Sequence, residues 1–559
     1  MTRASFVLLV ALLGMMIGSR AEAQLRAQPL SESRLNELGL ETVWQNQVLV
    51  DTTKSAIGGA TLQVVGLDSL ESLQKTSQVA YEVSLGEKKY RFRENDLDTS
   101  GQPLGRVEAE RLANKQKILL EARGGKATLV TRSVPALVLY VATGQGAVHA
   151  MDAESGRTLW ATHTGNPTAP TLAPGANDRF VCVINGSRLH LLDRQTGAPI
   201  WDRPLDHNPS TGVQVSSNMA FVPGLDGEMT GYKLPTELSD NRFATGWVYH
   251  STGRITNRPL VTPNSLSWAT EEGRMMVADV AGPTMSYRFE CTAPIHGGVA
   301  FLPPDKLVVA ATNGYVTALN QKSGRIEWEY STGFAIDQTP FVSKTSTLVV
   351  THEHELIALS NNDGSPQWTA EGVSRVLSAS DKRIYALGRN GGLLVLDHEK
   401  GSLIGQLPLG GSNLSLSNAV SDRIYLASSA GEMICLREVG ADYPTVRWPL
   451  PAEEQAPAPR KKPRPAAAKP SADAEGDDAD KAEAGGDSDA GESDDSDPFA
   501  VDDGAAAEPA AEEPATEESA EEPAADEPTA EEAAPAEEVD KEDADKEEGN
   551  ASEDPFDFG

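Results

Sequence analysis

His352 and His354 lie two apart in THEHE, residues 351–355. In an extended strand, residues i and i+2 share a face, and two imidazoles on one face can seed a metal site. In a hairpin turn the same side chains diverge into solvent. Cys182, Cys291 and Cys435 each sit inside or beside an apolar run (RFVCVING, YRFECTA, EMICLRE). A small buried hydrophobe is the simpler reading of each. No CxxC or CxxCH spacing occurs, which excludes zinc-ribbon and c-type haem chemistry. The histidines are scattered and no G-x-S-x-G exists, so no Ser-His-Asp arrangement can be drawn. These residues assign no catalytic, cofactor-binding or metal-binding position, and no cofactor.

Charge separates the chain into two parts. The 559 residues carry a net charge of −34. Residues 451–559 hold 38 acidic and 8 basic residues, which leaves 44 against 40 in the first 450. The body is thus nearly neutral and has no electrostatic footprint for nucleic acid, while the tail would repel it. The tail, 452–559, is Ala, Glu, Pro and Asp with few large apolar residues, and such a composition predicts disorder. Phe499, Phe556 and Phe558 are its only aromatics, and Asp-Pro-Phe occurs in it twice. They are either short hooks for a groove on a partner protein or a chance recurrence. At the other end, Arg3, the apolar run SFVLLVALLGMMIG and Ala21-Glu22-Ala23 read as a signal peptide over 1–23, with Gln24 first in the mature chain. The apolar run is shorter than the roughly 20 residues that span a bilayer. No other stretch is apolar enough to cross, so the expected location is the periplasm or cell envelope.

The body must supply whatever positions these residues, and it is repetitive. LYVATGQGAVHAMDAESGRTLWATHTG, from Leu139, aligns without a gap to LVVAATNGYVTALNQKSGRIEWEYSTG, from Leu307. Weaker copies start at Arg179, Met219, Leu266, Leu348, Ile384 and Ile424, which makes eight. An aromatic strand position recurs at Trp160, Trp201, Trp247, Phe289, Trp328, Trp368, Gly405 and Trp448, about every 40 residues. Each unit holds about four short apolar runs separated by Gly, Asn, Asp and Ser turns. That is one blade of a β-propeller, and closing the ring removes the edges an open stack would expose. In AMDAESGRTLW, Asp152 can accept hydrogen bonds from amides just downstream, Gly156 can take the left-handed conformation, and Trp160 can fill the gap between blades.

Ala150-x-Asp152-x-x-Ser155-Gly156-Arg157-x-x-Trp160 resembles the tryptophan-docking motif of pyrroloquinoline-quinone (PQQ)-type propellers. Asp193, Thr196, Gly197 and Trp201 repeat it, and the units ending at Trp328 and Trp368 carry Asn320 and Ser360 in place of Asp. The resemblance implies an all-β protein: an eight-bladed propeller of PQQ-like repeats over 134–451. A small mixed N-terminal segment precedes it and the acidic tail follows. Enzymes and scaffolds share this motif. Quinoprotein dehydrogenases of the family often carry two adjacent cysteines beside the quinone, and this chain has none. Among scaffolds, the chain is similar to the outer-membrane protein assembly factor B family, eight-bladed periplasmic propellers without catalytic activity. It departs from that family in lacking a lipid-attachment cysteine and in adding the tail and front segment. The resemblance implies an exported scaffold that binds envelope proteins and acts in outer-membrane protein assembly. The alternatives are a PQQ-dependent dehydrogenase and an exported sugar- or polymer-binding propeller.

Residues 24–133 are less regular. ETVWQNQVLV around Trp44 looks like an aromatic strand standing alone, and it or GGATLQVVGL is expected to complete the first or last blade. VAYEVSLGEKKYRFREND reads as a hairpin, and RVEAERLANKQKILLEARG as an amphipathic helix with Leu112, Ile118 and Leu119 on one face.

Overall fold

The computed structural model describes residues 30–447, apart from short stretches at 51–55, 68–72, 74, 87, 237–243, 281–283 and 411–413. Trp448, Phe499, Phe556, Phe558, the signal segment and the tail lie outside these residues.

Eight four-stranded antiparallel sheets follow one another along the chain. Their second strands are continuous apolar runs rather than alternating ones. Leu137–Thr143 and Phe180–Asn185 are buried at every residue. Both faces of such a strand pack against a neighbouring blade, so neither face can be polar. The outermost strands alternate, because only part of each touches a neighbour: Thr158–His163 buries only Trp160 fully. The core is a series of apolar clusters between and within blades, not one central core.

The ring closes with strands from the front segment. Leu40–Gln47 is the outermost strand of the eighth sheet, paired with Glu432–Glu438, and Trp44 faces Cys435. Ile57–Val64 is the innermost strand of the first sheet, paired with Leu137–Thr143. The ring therefore draws on residues outside 134–451. This corrects the eighth aromatic position from Trp448 to Trp44. The fourth position is corrected too. Tyr287 faces Val277 just before the bulge, as Trp160 faces Ala150 and Trp328 faces Ala318, whereas Phe289 lies two residues further on.

Between the first two strands of blade one an insertion builds its own sheet, ordered Lys88–Arg93, Gln78–Leu85, Thr128–Val134. The helix Gly105–Glu121 covers one face of it. The expected hairpin is there, but the helix buries Ala109, Ala113 and Leu120, while Ile118 and Leu119 are exposed. Two alanines at i and i+4 let the helix lie close on Val79, Tyr81 and Val83, and this close contact selects the buried face.

Candidate functional site

The repeated motif folds into a docking joint between successive blades. The Asp152 carboxylate accepts the Ser155 amide and hydroxyl, both at 2.8 Å, and the Glu154 amide at 3.2 Å. Gly156 then takes φ +71°, which costs an L side chain conformational strain. A β-carbon there would also lie 2.4 Å from the Trp44 ring, so the glycine is a seat for the aromatic of the preceding blade. The indole N–H of Trp44 donates to the Ala153 carbonyl at 2.9 Å. Trp160 does the same to Arg194, Trp328 to Asn361 and Trp368 to His398, each against the next blade's turn glycine. Tyr287 reaches the Asn320 carbonyl through its hydroxyl at 3.2 Å. In blade seven, Leu38 from the front segment fills the space beside Gly405, where an added β-carbon would meet it at 2.4 Å.

The joint between blades eight and one is the most heavily built. Arg423, fully buried, donates to both carboxylate oxygens of Glu154 at 2.9 Å and to Asp422 at 3.1 Å. Burial opposes the guanidinium's charge most strongly, but the Glu154 and Asp422 carboxylates and the hydrogen bond to Glu154 together hold the pKa above the ordinary value. Asn46 donates to the Gly156 carbonyl at 2.6 Å, and Asn95, from the insertion, to Asp152 at 2.8 Å. Arg93 adds a 3.8 Å ion pair to Glu154. The turn 152–156 thus ties together blade one, blade eight and the insertion. Neither Glu154 nor Arg423 stands out in the sequence. The only signal is an Asp-Arg step before an apolar run, seen at 178–179 and again at 422–423.

Two cavities lie beside the innermost strands. One, of about 340 Å³, is lined by blades one to four with Gln63, Asn177, Gln214 and Thr262 among its polar groups. The other, of about 700 Å³, is lined by Leu260, Phe301, Val342, Ala419 and the segment through Arg447. Arg258 spans from blade four to Thr61, Pro174 and Val213 of blades one to three, with hydrogen bonds of 2.7–2.8 Å. Burial pushes its pKa down to about 10. Arg447 is likewise pushed down to about 10 by burial, and it donates to the carbonyls of Ala379, Asn418, Ala419 and Ser421. Both arginines act as braces on backbone carbonyls.

The histidine pair does not share a face. His354 sits in a turn at φ +65°, and the Asp337 carboxylate accepts from His352 at 3.0 Å and, on its other oxygen, from His296 at 3.2 Å. The segment is the hairpin turn between Ser346–Val350 and Glu355–Ser360, so extended geometry does not apply. Among the described residues no group of three His, Cys, Asp or Glu is placed to hold a metal ion. Cys182, Cys291 and Cys435 are free thiols, and burial raises the pKa of each. No described helix is long and apolar enough to cross a membrane.

A closed ring of eight four-stranded blades, half of them joined to the next by a Trp-to-turn contact, defines an eight-bladed β-propeller of PQQ-like repeats. Residues 95–283 and 263–453 match the family model PQQ_2, described as outer membrane protein assembly factor BamB. The chain belongs to that family. The outer membrane protein assembly factor BamB of Shewanella oneidensis is 22% identical over 302 residues, covering 53% of this chain and 67% of its own length. Among solved structures, BamB from Moraxella catarrhalis matches at 17% identity and a TM-score of 0.45, over 54% of this chain and 91% of its own. The C-terminal WD40 domain of Sif2 matches at 10% identity and a TM-score of 0.43, over 54% and 92%.

Proposed function

We propose that this chain is an exported, non-catalytic scaffold that holds envelope proteins together during outer-membrane protein assembly. The observation that carries the reading is the family match across both halves of the ring. The Shewanella relative's description as an assembly factor supports a role without catalysis. The basic-apolar-small pattern over residues 1–23 supports export. In the organism that makes it, removing the chain should lower the amount of folded outer-membrane barrel, measured by heat-modifiable migration on gels, and the full chain should restore it. An unchanged level would overturn the assembly role. N-terminal sequencing of envelope fractions should find a chain that starts at Gln24. Titration with PQQ and calcium, followed by alcohols or sugars with an artificial electron acceptor, should give neither binding nor turnover. Stoichiometric binding with turnover would replace the scaffold by a dehydrogenase.

A further inference from the structure

Every outermost strand of the propeller is interrupted. All eight, from Leu40–Gln47 to Leu403–Pro408, carry a register shift at or beside the docking position. A bulge bends and twists an edge and so blocks pairing with another chain. Among the described residues, the insertion's sheet is guarded on one side only. Its Lys88–Arg93 edge begins with two lysines, Arg91 is ion-paired to Asp442, and Arg93 donates to the Asp442 carbonyl at 3.1 Å. The opposite edge, Thr128–Val134, pairs with Gln78–Leu85 over seven residues without a shift. It holds no Pro or Gly and is exposed at five of its seven residues. Among the described residues no backbone hydrogen bond reaches its outer side.

The charge on this sheet shows what would pair there. On the face away from the helix, the register sets Lys89, Arg91, Arg93 and Arg132 around Glu82, while Arg91 is ion-paired to Asp442 and Arg93 lies 3.8 Å from Glu154. Lys89 and Arg132 share the Glu82 carboxylate, each at 3.7 Å. Arg132, 54% exposed, stands on the edge strand two residues from Val130; its guanidinium lies over the Tyr443 ring at 5.7 Å, and its carboxylate partner, Glu82, is shared with Lys89. An added strand would place alternate side chains opposite Val130 and Arg132.

We propose that Thr128–Val134 is a docking edge that takes an extended segment of a partner protein as a fourth strand. The segment carries an apolar side chain and a carboxylate two residues apart, which lie against Val130 and Arg132. Main-chain hydrogen bonds supply the affinity and this pair of side chains the selectivity. The inference rests on the inserted sheet alone and holds whether or not the chain acts in outer-membrane assembly.

The test uses the full chain and a capped nine-residue peptide of alternating Val and Thr with one Glu, at about 1 mM so that weak binding registers. Hydrogen exchange should slow at residues 128–134 and stay unchanged at 88–93 and on the propeller's outer strands. Val130→Lys, at an exposed site, should leave the unfolding midpoint in place and weaken binding at least several-fold. Arg132→Glu should weaken the Glu peptide and favour its Lys counterpart by a similar factor. Protection on a propeller strand, or none anywhere, would overturn the proposal. Protection of 128–134 without peptide, rising with protein concentration, would overturn it in favour of a second copy as the occupant.

Discussion

Trp44, Trp160, Tyr287, Trp328 and Trp368 each do two jobs: they fill the space over a turn glycine of the next blade and they satisfy one backbone carbonyl there. Losing one leaves a cavity and an unpaired acceptor. Trp328→Ala should therefore cost about 3–5 kcal/mol, as large-to-small core changes do. Trp44→Ala should cost a similar amount, although Trp44 lies far from the repeats in sequence, because its ring seats on Gly156 and its N–H reaches Ala153. Calorimetric midpoints of the two variants would check this, and an unaffected Trp44→Ala would contradict the closure described above. Gly405→Trp should destabilise by roughly 1–3 kcal/mol, since Leu38 already holds the slot. A second residue-scale effect is pH-dependent. His149 and His190 occupy the same position in neighbouring blades, are 8% and 9% exposed, and have their pKa lowered by burial. A base whose folded pKa lies below its unfolded value of about 6.5 binds fewer protons when folded, so stability falls as pH drops through that range. The midpoint should decline from about pH 7 to about pH 5.5, and the decline should shrink in His149→Gln/His190→Gln. An identical slope in the double variant would show that other groups carry it.

At the scale of elements, the insertion is a side branch of the ring. Val64 pairs with Leu137, and the Val65 amide donates to the Ala136 carbonyl at 2.9 Å, so the chain leaves and re-enters blade one at adjacent points. Replacing residues 67–134 by a short Gly-containing turn should leave a folded, monomeric ring of native-like β circular dichroism. It should also lower the midpoint modestly, because Glu154 and Asp152 lose Arg93 and Asn95. Removing residues 30–50 instead should open the seam between blades eight and one, and size-exclusion chromatography should then show association through the exposed Glu432–Glu438 edge. If both deletions behaved alike, the insertion would be part of the closure.

For the molecule as a whole, the composition break at Pro451 sets the expectation for the tail. A chain ended near Gln455 should keep the full chain's unfolding midpoint, since few tail residues are large and apolar enough to contribute to a core. A large fall on truncation would move that boundary. Conversely, the body has too little charge imbalance for long-range repulsion to matter, so its midpoint should respond little to added salt.

Repeat length, blade count and the Asp-to-Gly docking turn were legible in the sequence. They rest on local chemistry: apolar runs of strand length, side chains that bond their own turn, and glycine where φ is positive. Tyr287 and Trp44 were misplaced or left open because their roles depend on register across a bulge and on pairing with a strand nearly 400 residues away. The helix face was misread because periodicity marks where apolar residues recur, whereas the approach distance of the sheet selects which of them are buried. The sharing of Glu154 by Arg423 and Arg93, and the edge at 128–134 that no other described strand pairs, exist only once distant segments meet. An ion pair or an unpaired strand edge is a relation between elements, and no single stretch of sequence carries it.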